Sequence, residues 1–310
     1  CGSFFSSVGK YSFIATLSGT NGARTMTLVS KDSDGTQISS LTRNFTYEPI
    51  SQTAYIKPTL FAGENNFGIS ADVEGDTLVV GASIETNNSN TIDSGTNFTQ
   101  GNVGAAAGAV HVFRKISGNW VQEAYLKAPY NRGSDNFGVA VAISGDTIAV
   151  GAHGDDRADN TIFNAGTTPT NAAGSSSSGA VYIFKRSGSV WSFESFIKAP
   201  NAGSSDYFSL VLDISGDYLV VGAYGEDNSA TGVQNGSIGS DDNSVSASGA
   251  AYVFKRTSNL WAFQSYLKAP ETDDTDRFGS AVSISGDVIA VGAYSEDGSN
   301  TGVTMGTGGG

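Results

Sequence analysis

The chain has 310 residues, a formal charge of −13, 40 glycines and one cysteine. Glycine and proline together stay below the share that marks low-complexity chains, and no apolar run approaches the ~18 residues of a membrane span, which indicates a chain with a packed core and no membrane insertion. Thirty acids against 17 bases set nucleic acid and anionic membranes aside as partners, because either would bind against the protein's own field, and a lone cysteine excludes an internal disulfide.

In chain order, residues 1–50 carry three alternating runs, KYSFIATL, ARTMTLVSKD and SSLTRNFTYEP, separated by the turn sequences SGTNG and SDGTQ. They read as strands. From residue 51 the chain repeats itself. Phe67, Phe137, Phe208 and Phe278 begin equivalent segments 70 or 71 residues apart, and Trp120, Trp191 and Trp261 keep the same step, as do Tyr55, Tyr125, Phe196 and Tyr266. A fixed period of this kind marks an array of supersecondary units.

Within one unit, FGVAVAIS alternates around Val139, Val141 and Ile143, turns at Ser144-Gly145-Asp146, and returns as the apolar run TIAVGA. That is a hairpin whose second strand is buried on both faces. After about 25 polar residues, GAVYIFKR forms a third strand and a Ser/Gly turn leads to a fourth, opened by Trp191. Lys127, Lys198 and Lys268 close the fourth strand, each two residues before a proline. Lysine and proline blunt exposed sheet edges, so this strand is expected outermost. A four-stranded antiparallel sheet recurring at constant period predicts an all-β fold of β-propeller blades. The blades span roughly 60–129, 130–200 and 201–270, with an incomplete fourth at 271–310.

These residues resemble a known family. Phe67-Gly68, Phe137-Gly138 and Phe278-Gly279, with Gly81-Ala82, Gly151-Ala152, Gly222-Ala223 and Gly292-Ala293, look like the FG-GAP repeats of integrin α-subunit propellers, in the variant common in bacterial surface proteins. The resemblance implies a seven-bladed parent, of which this chain holds about three and a half blades, and a role in adhesion. Phe208-Ser209 departs from the pattern, and no copy has proline after Gly-Ala. Residues 1–50 resemble the later strands of a bacterial immunoglobulin-like domain, about half of such a sandwich. The chain therefore reads as a fragment of a longer extracellular or cell-surface protein. The alternative reading of Cys1 is the acylated start of a mature lipoprotein.

The loops joining strands two and three, and those joining successive blades, leave a propeller on one face. Here they hold 18 of the 30 acids and three bases, Arg132, Arg157 and Arg277, a formal charge of −15 for that face. The basic pairs Arg114-Lys115, Lys185-Arg186 and Lys255-Arg256 fall at the opposite end. The family's usual calcium loop lies between strands one and two, but that turn is only Ser-Gly-Asp here, and Asp76, Asp146, Asp217 or Asp287 alone cannot fill a shell of six to eight oxygens. A turn aspartate bonding its own backbone is the simpler reading. The candidate cation ligands are the pairs after Gly-Ala: Asp155 and Asp156, Glu226 and Asp227, Glu296 and Asp297, with Glu85 in the first copy. Paired carboxylates with loop carbonyls suit Ca²⁺, and solvated acidic loops are the plainer alternative. Asp135, Asp206 and Asp276, with Asn65 in the first copy, are expected to cap the turn into strand one.

His111 aligns with Tyr182 and Tyr252, and His153 with Ser83, Tyr224 and Tyr294, so each reads as a variant of a structural slot. The tryptophans are expected to pack between blades rather than stack sugars. No nucleophile elbow, Walker loop or zinc motif occurs, and the expectation is a noncatalytic module presenting its acidic face to a protein or glycan. The rivals are a spacer or accessory domain of a larger extracellular enzyme, and a propeller lectin.

Overall fold

The chain forms two compact units, Cys1–Tyr55 and Ile56–Gly310. The computed structural model describes residues 3–8, 11–18, 22–31, 37–47, 54–58, 65–95, 106–164, 167, 169, 172–239 and 242–298, so Cys1 lies outside the described residues. In the first unit four strands, β1 (Ser3–Val8), β2 (Tyr11–Ser18), β3 (Gly22–Lys31) and β4 (Gln37–Tyr47), pair in chain order as an antiparallel meander. The last three coincide with the alternating runs of the sequence. A sandwich requires a second sheet facing the first; the described residues of this unit form one.

The second unit holds three five-stranded sheets and a hairpin. The first blade contains β5 (Phe67–Glu74), β6 (Thr77–Ala82), β7 (Ile92–Ser94), β8 (Ala109–Ile116) and β9 (Asn119–Leu126). The second contains β10 (Val141–Ser144), β11 (Thr147–Ala152), β12 (Ile162–Asn164), β13 (Ala180–Ser187) and β14 (Val190–Ile197). The third contains β15 (Val211–Ser215), β16 (Tyr218–Ala223), β17 (Val233–Asn235), β18 (Ala250–Thr257) and β19 (Leu260–Leu267), and the hairpin is β20 (Phe278–Ser285) with β21 (Val288–Ala293). No helix occurs among the described residues.

Each blade starts with the predicted hairpin. Ser144 pairs with Thr147, leaving the two-residue loop Gly145-Asp146 with Gly145 at φ +57°, a backbone that glycine adopts without steric cost. The run TIAVGA follows as β11, and all six of its residues are buried. One expectation fails. The fourth strand is not the edge, because a three-residue strand from the long polar loop folds back onto it: β7 on β9, β12 on β14 and β17 on β19. A loop of about 25 residues is long enough to cover the edge its own blade would otherwise leave open.

Successive inner strands β5, β10, β15 and β20 pack against one another in turn. The seams between blades hold the core. Val79, Val110 and Leu126 of the first blade meet Val141, Ile148, Tyr182 and Trp191 of the second; Ala149, Ile183 and Ile197 of the second meet Leu212, Leu219, Tyr252 and Trp261 of the third. Trp191 and Trp261 are each 2% exposed, so they pack between blades as the sequence suggested. The Phe-Gly and Gly-Ala signatures meet across the same seams. A Cβ on Gly81 would stand 2.0 Å from the Gly138 carbonyl oxygen of the next blade, and one on Gly138, at φ +89°, would stand 2.5 Å from the Ala109 oxygen. Where the pattern departs, Ser209 holds φ 76° and is buried; its hydroxyl donates to Ala180 O at 2.7 Å and accepts from Ala152 N at 3.1 Å.

The far end of each seam is clamped by arginine. The Arg186 guanidinium lies 5.2 Å from the Trp191 ring, pairs with Asp146 of its own turn at 2.7 Å, and donates to Thr77 of the preceding blade at 3.1 Å. Arg256 repeats this with Trp261, Asp217 and Thr147. Asp146 and Asp217 of these turns therefore bind a neighbouring strand's arginine through their side chains, and Arg186 and Arg256 of the basic pairs form part of the seams. Beyond β20 and β21 the described residues supply no such pair. The last seam holds a cavity of about 580 Å³ lined by Tyr218, Val253, Gln264, Leu267 and Ile284 among others, in the position that Trp261 and Arg256 fill one seam earlier. No residue of β21 is fully buried, and Val288 is 65% exposed.

Candidate functional site

Ala82 pairs with Ala109, Ala152 with Ala180 and Ala223 with Ala250. The second strand of each blade thus ends, and the third begins, at one end of the sheet, where the innermost strand also starts. The long loops and the interblade segments emerge together there, as the sequence reading required.

The first carboxylate after each Gly-Ala points inward. Glu85, Asp155 and Glu226 are all buried, and so are Lys127, Lys198 and Lys268. Lys127 Nζ lies 2.9 Å from Glu85 Oε2, Lys198 Nζ 3.3 Å from Asp155 Oδ1 and Lys268 Nζ 2.9 Å from Glu226 Oε2. These lysines, expected to guard an exposed edge, are the cations of a buried pair that recurs in three blades. A serine completes two of the sites: Lys198 donates to Ser178 Oγ at 2.6 Å and Lys268 to Ser248 Oγ at 2.7 Å. Burial pulls all three ammonium groups below their ordinary pKa, against the pull of the facing carboxylate. Removing one partner from such a site would strand a charge in the interior.

Aromatic hydroxyls finish two of the carboxylate shells, while in the third blade Tyr252 donates to Asn201 Oδ1 at 2.7 Å. Directly opposed pairs on the third and fourth strands, His111 with Tyr125, Tyr182 with Phe196 and Tyr252 with Tyr266, contain at least one tyrosine in every blade. Where the third strand carries His111, Tyr125 on the fourth donates to Glu85 Oε2 at 2.9 Å; where the fourth carries Phe196, Tyr182 on the third donates to Asp155 Oδ2 at 3.3 Å. Burial and then the carboxylate charge raise the Tyr125, Tyr182 and Tyr266 phenols. The second blade has the shorter Asp155, and Arg157 two residues on fills the space, pairing with Asp155 and donating to Tyr182 Oη at 3.0 Å. The other blades have the longer Glu85 and Glu226, with Asn87 and Asn228 at that position. His111 is buried with Nδ1 2.9 Å from Gln122 Nε2, and burial, then Lys127, lowers its pKa to about 4.

The second carboxylates differ from the first. Asp156 pairs with Arg132 at 2.8 Å, and Asp227 accepts the Ala247 amide at 2.7 Å. Glu296 and Asp297 are exposed, and Glu296 accepts the Gly298 amide at 2.7 Å. Among the described residues no group of three or more His, Cys, Asp or Glu side chains converges. The inner carboxylate of each complete blade serves a lysine, and calcium takes six to eight oxygens. The interblade acids act as caps: Asp135, Asp206 and Asp276 accept the amides of Arg132, Gly203 and Asp273, each three residues earlier, at 2.6–2.9 Å.

Burial also redraws the charge of this end. Glu85, Asp135, Asp155, Asp206, Glu226 and Asp276 are buried, and three lysines stand beside them. The exposed acids that remain are concentrated around the hairpin, at Glu271, Asp273, Asp274, Glu296 and Asp297.

The family model of the FG-GAP repeat matches residues 120–184, 191–254 and 261–306, more than half of the chain. The chain belongs to the FG-GAP repeat family. The first two matched FG-GAP units start at the fourth strand of one blade and end in the third strand of the next, so each straddles the seam where Phe-Gly meets Gly-Ala. Comparison with curated protein sequences finds no match. Among solved structures, a variant of the Synechocystis apocarotenoid oxygenase aligns with TM-score 0.24 and 10% identity over 82% of this chain and 46% of that one. The trigonal form of an ACO/RPE65 chimera gives 0.26 and 12% over the same shares, and cobalt-substituted Synechocystis ACO 0.25 and 9%. The chain spans less than half the length of those chains, and a likeness at these TM-scores carries no argument.

One FG-GAP cap has a pH signature. Burial, then the Asp155 charge, raises the Asp135 pKa to about 7 from 3.8, against the Arg132 amide and Arg157, with Asp156 adding to the rise. Between those values the folded state holds a proton that the unfolded chain has lost, so this contribution to stability is full below about 3.8 and is lost as pH rises through about 7. His111 works oppositely: neutral in the fold down to about 4, it costs stability as pH falls through its window. Asp135→Asn, which copies Asn65 of the first blade, isolates the first effect. The variant should match the parent at pH 4 and exceed it at pH 8 by on the order of 2–4 kcal/mol, read from urea unfolding at both pH values. Equal stabilities at pH 8 would contradict the assignment.

Proposed function

We propose that the FG-GAP blades are a noncatalytic binding module of a secreted or cell-surface protein, presenting the exposed acids of the loop end to a protein or glycan. The observation that supports this most is the division of labour among the acids. The inner carboxylate of each complete blade is locked to lysine and fixes the loop base, while Glu271, Asp273 and Asp274 in the segment before the hairpin stay exposed. Rigid scaffold and variable exposed loops are the usual arrangement of a recognition surface. Among the described residues no helix is long and apolar enough to cross a membrane.

The test is a variant in which those three acids become Asn or Gln, measured against immobilised basic matrix proteins and a glycan array at two ionic strengths. The parent should bind in a salt-sensitive way and the variant at least tenfold more weakly. Binding by neither would favour the spacer reading. We further propose that recognition does not run through calcium at the carboxylate pairs. Millimolar Ca²⁺ should leave the melting temperature unchanged, and a rise of several degrees would return those pairs to the calcium reading.

A further inference from the structure

The first two seams each join two complete blades, yet their outer ends are built differently. β7 packs against β14 of the next blade as β12 packs against β19, and Ser94 pairs with Ala124 where Asn164 pairs with Ser195. At the second seam the Asn164 carboxamide is a clasp. Its Nδ2 donates to Trp261 O at 3.1 Å, and its Oδ1 accepts Trp261 N at 2.8 Å and Ser195 Oγ at 2.9 Å. Beside it the Trp261 indole donates to Glu194 Oε2 at 3.1 Å.

The first seam has no such clasp, because Ser94 lacks the carboxamide and Ala124 the hydroxyl. Trp191 keeps the register opposite Arg186 that Trp261 keeps opposite Arg256, so its main-chain N–H and C=O point the same way, out of the blade. Next to Ser94 lies a cavity of about 350 Å³, lined by Gly95, Arg114, Glu123, Gly188 and Ser189 among others. Two buried groups are left over there: Trp191 Nε1 and Glu123 Oε2 make no hydrogen bond. The Glu123 side chain is 8% exposed, with Arg186 at 3.5 Å and Arg114 at 4.0 Å. A buried carboxylate oxygen without a donor is costly, so a ligand that supplies one gains affinity from it.

Asn164 shows what this space takes. A primary carboxamide carries a donor and an acceptor on one edge, matching the N–H and C=O of a strand residue, and keeps a second hydrogen for a carboxylate. A carboxylate ligand has no donor and meets Glu123 as a like charge, while an ammonium has no acceptor for a main-chain N–H. The cavity is wider than one carboxamide, and Ile116 and Val121 in its wall are 55% and 44% exposed. An apolar mouth favours a side chain with a methylene stem.

We propose that the outer end of the first seam is a docking site for a glutamine side chain of a partner peptide. Its carboxamide takes the place at Trp191 that Asn164 takes at Trp261, its second amide hydrogen goes to Glu123, and its stem lies against Ile116 and Val121. The site is at the opposite end of the seam from the acidic loops and is independent of the loop-end reading.

The experiment is saturation-transfer NMR and titration of the full chain with the capped peptide Ala-Ala-Gln-Ala-Ala and its counterparts with Asn, Glu or Lys at the centre. The glutamine peptide should bind saturably, the asparagine peptide more weakly, and the charged peptides roughly tenfold more weakly or not at all. Ser94→Asn with Ala124→Ser rebuilds the clasp; it should melt above the parent and lose the peptide. Ile116→Ser, at an exposed position, should melt with the parent and bind several-fold more weakly, and it decides the matter if the rebuilt clasp does not fold. No binding of the glutamine peptide to the parent, or binding undiminished in Ile116→Ser or in a folded clasp variant, overturns the proposal. Equal or tighter binding of the glutamate peptide also overturns it, and makes Arg114 an anion site instead.

Discussion

Lys268→Met should destabilise the second unit by about 3–5 kcal/mol, the cost of leaving a buried carboxylate without its cation. Glu226 has no route to solvent that would relieve it, since both it and Lys268 are buried, and its remaining bonds come from neutral donors, the Asn228 amide at 3.1 Å and Asn201 Nδ2 at 3.0 Å. Neutral donors reduce but do not remove the penalty of an uncompensated charge. The decisive comparison is the double variant Glu226→Gln with Lys268→Met. It removes both charges while keeping the shape of the carboxylate, and should recover most of the loss. Urea unfolding of the four proteins gives the coupling directly. If the single variant loses less than about 1 kcal/mol, the pair behaves as a surface ion pair and the buried site described above is wrong.

Gly138→Ala should be of similar size for a different reason. The residue sits at φ +89°, and the added Cβ would stand 2.5 Å from the Ala109 oxygen and 3.2 Å from a Val110 methyl of the preceding blade. Neither can retreat, because Ala109 pairs with Ala82 inside the first blade. Gly145→Ala provides the control: φ is again positive, +57°, but nothing lies within 4 Å. The control should lose only ~1 kcal/mol, the local cost of a left-handed backbone, whereas Gly138→Ala should lose more than about 3 kcal/mol and melt the first seam. Equal losses would show that φ alone, and not the approach of two backbones, explains the glycine of the Phe-Gly signature.

Ser209 shows that the requirement differs between seams. At the equivalent position it keeps a positive φ although it carries a Cβ, and its hydroxyl takes two backbone partners across the seam. A departure visible in the sequence is thus absorbed by a hydrogen-bond exchange that only coordinates reveal. The same holds for the pairing of Asp155 with Arg157 where the other blades have Glu with Asn. The covariation is present in the aligned repeats, but nothing local says that the position two residues on points back at the carboxylate.

The first four strands of each blade, the hairpin turns, the buried second strand, the interblade tryptophans and the aspartate caps were legible in the residues, because each depends on interactions within a few positions or on a period that repeats, whereas the short fifth strand was not. The neutralisation of Glu85, Asp155 and Glu226 was not, although its trace exists as a constant separation of 42 or 43 residues from each acid to its lysine. A lysine before proline at a strand end reads locally as edge protection. Only the return of the polar loop as β7, β12 and β17 covers that edge and turns the ammonium inward. The sequence alone determined the repeat and the fold of its blades, since alternation and turn chemistry act at short range. Which charges remain free for a partner was decided by tertiary structure, because burial of an ion depends on what distant segments bring to it.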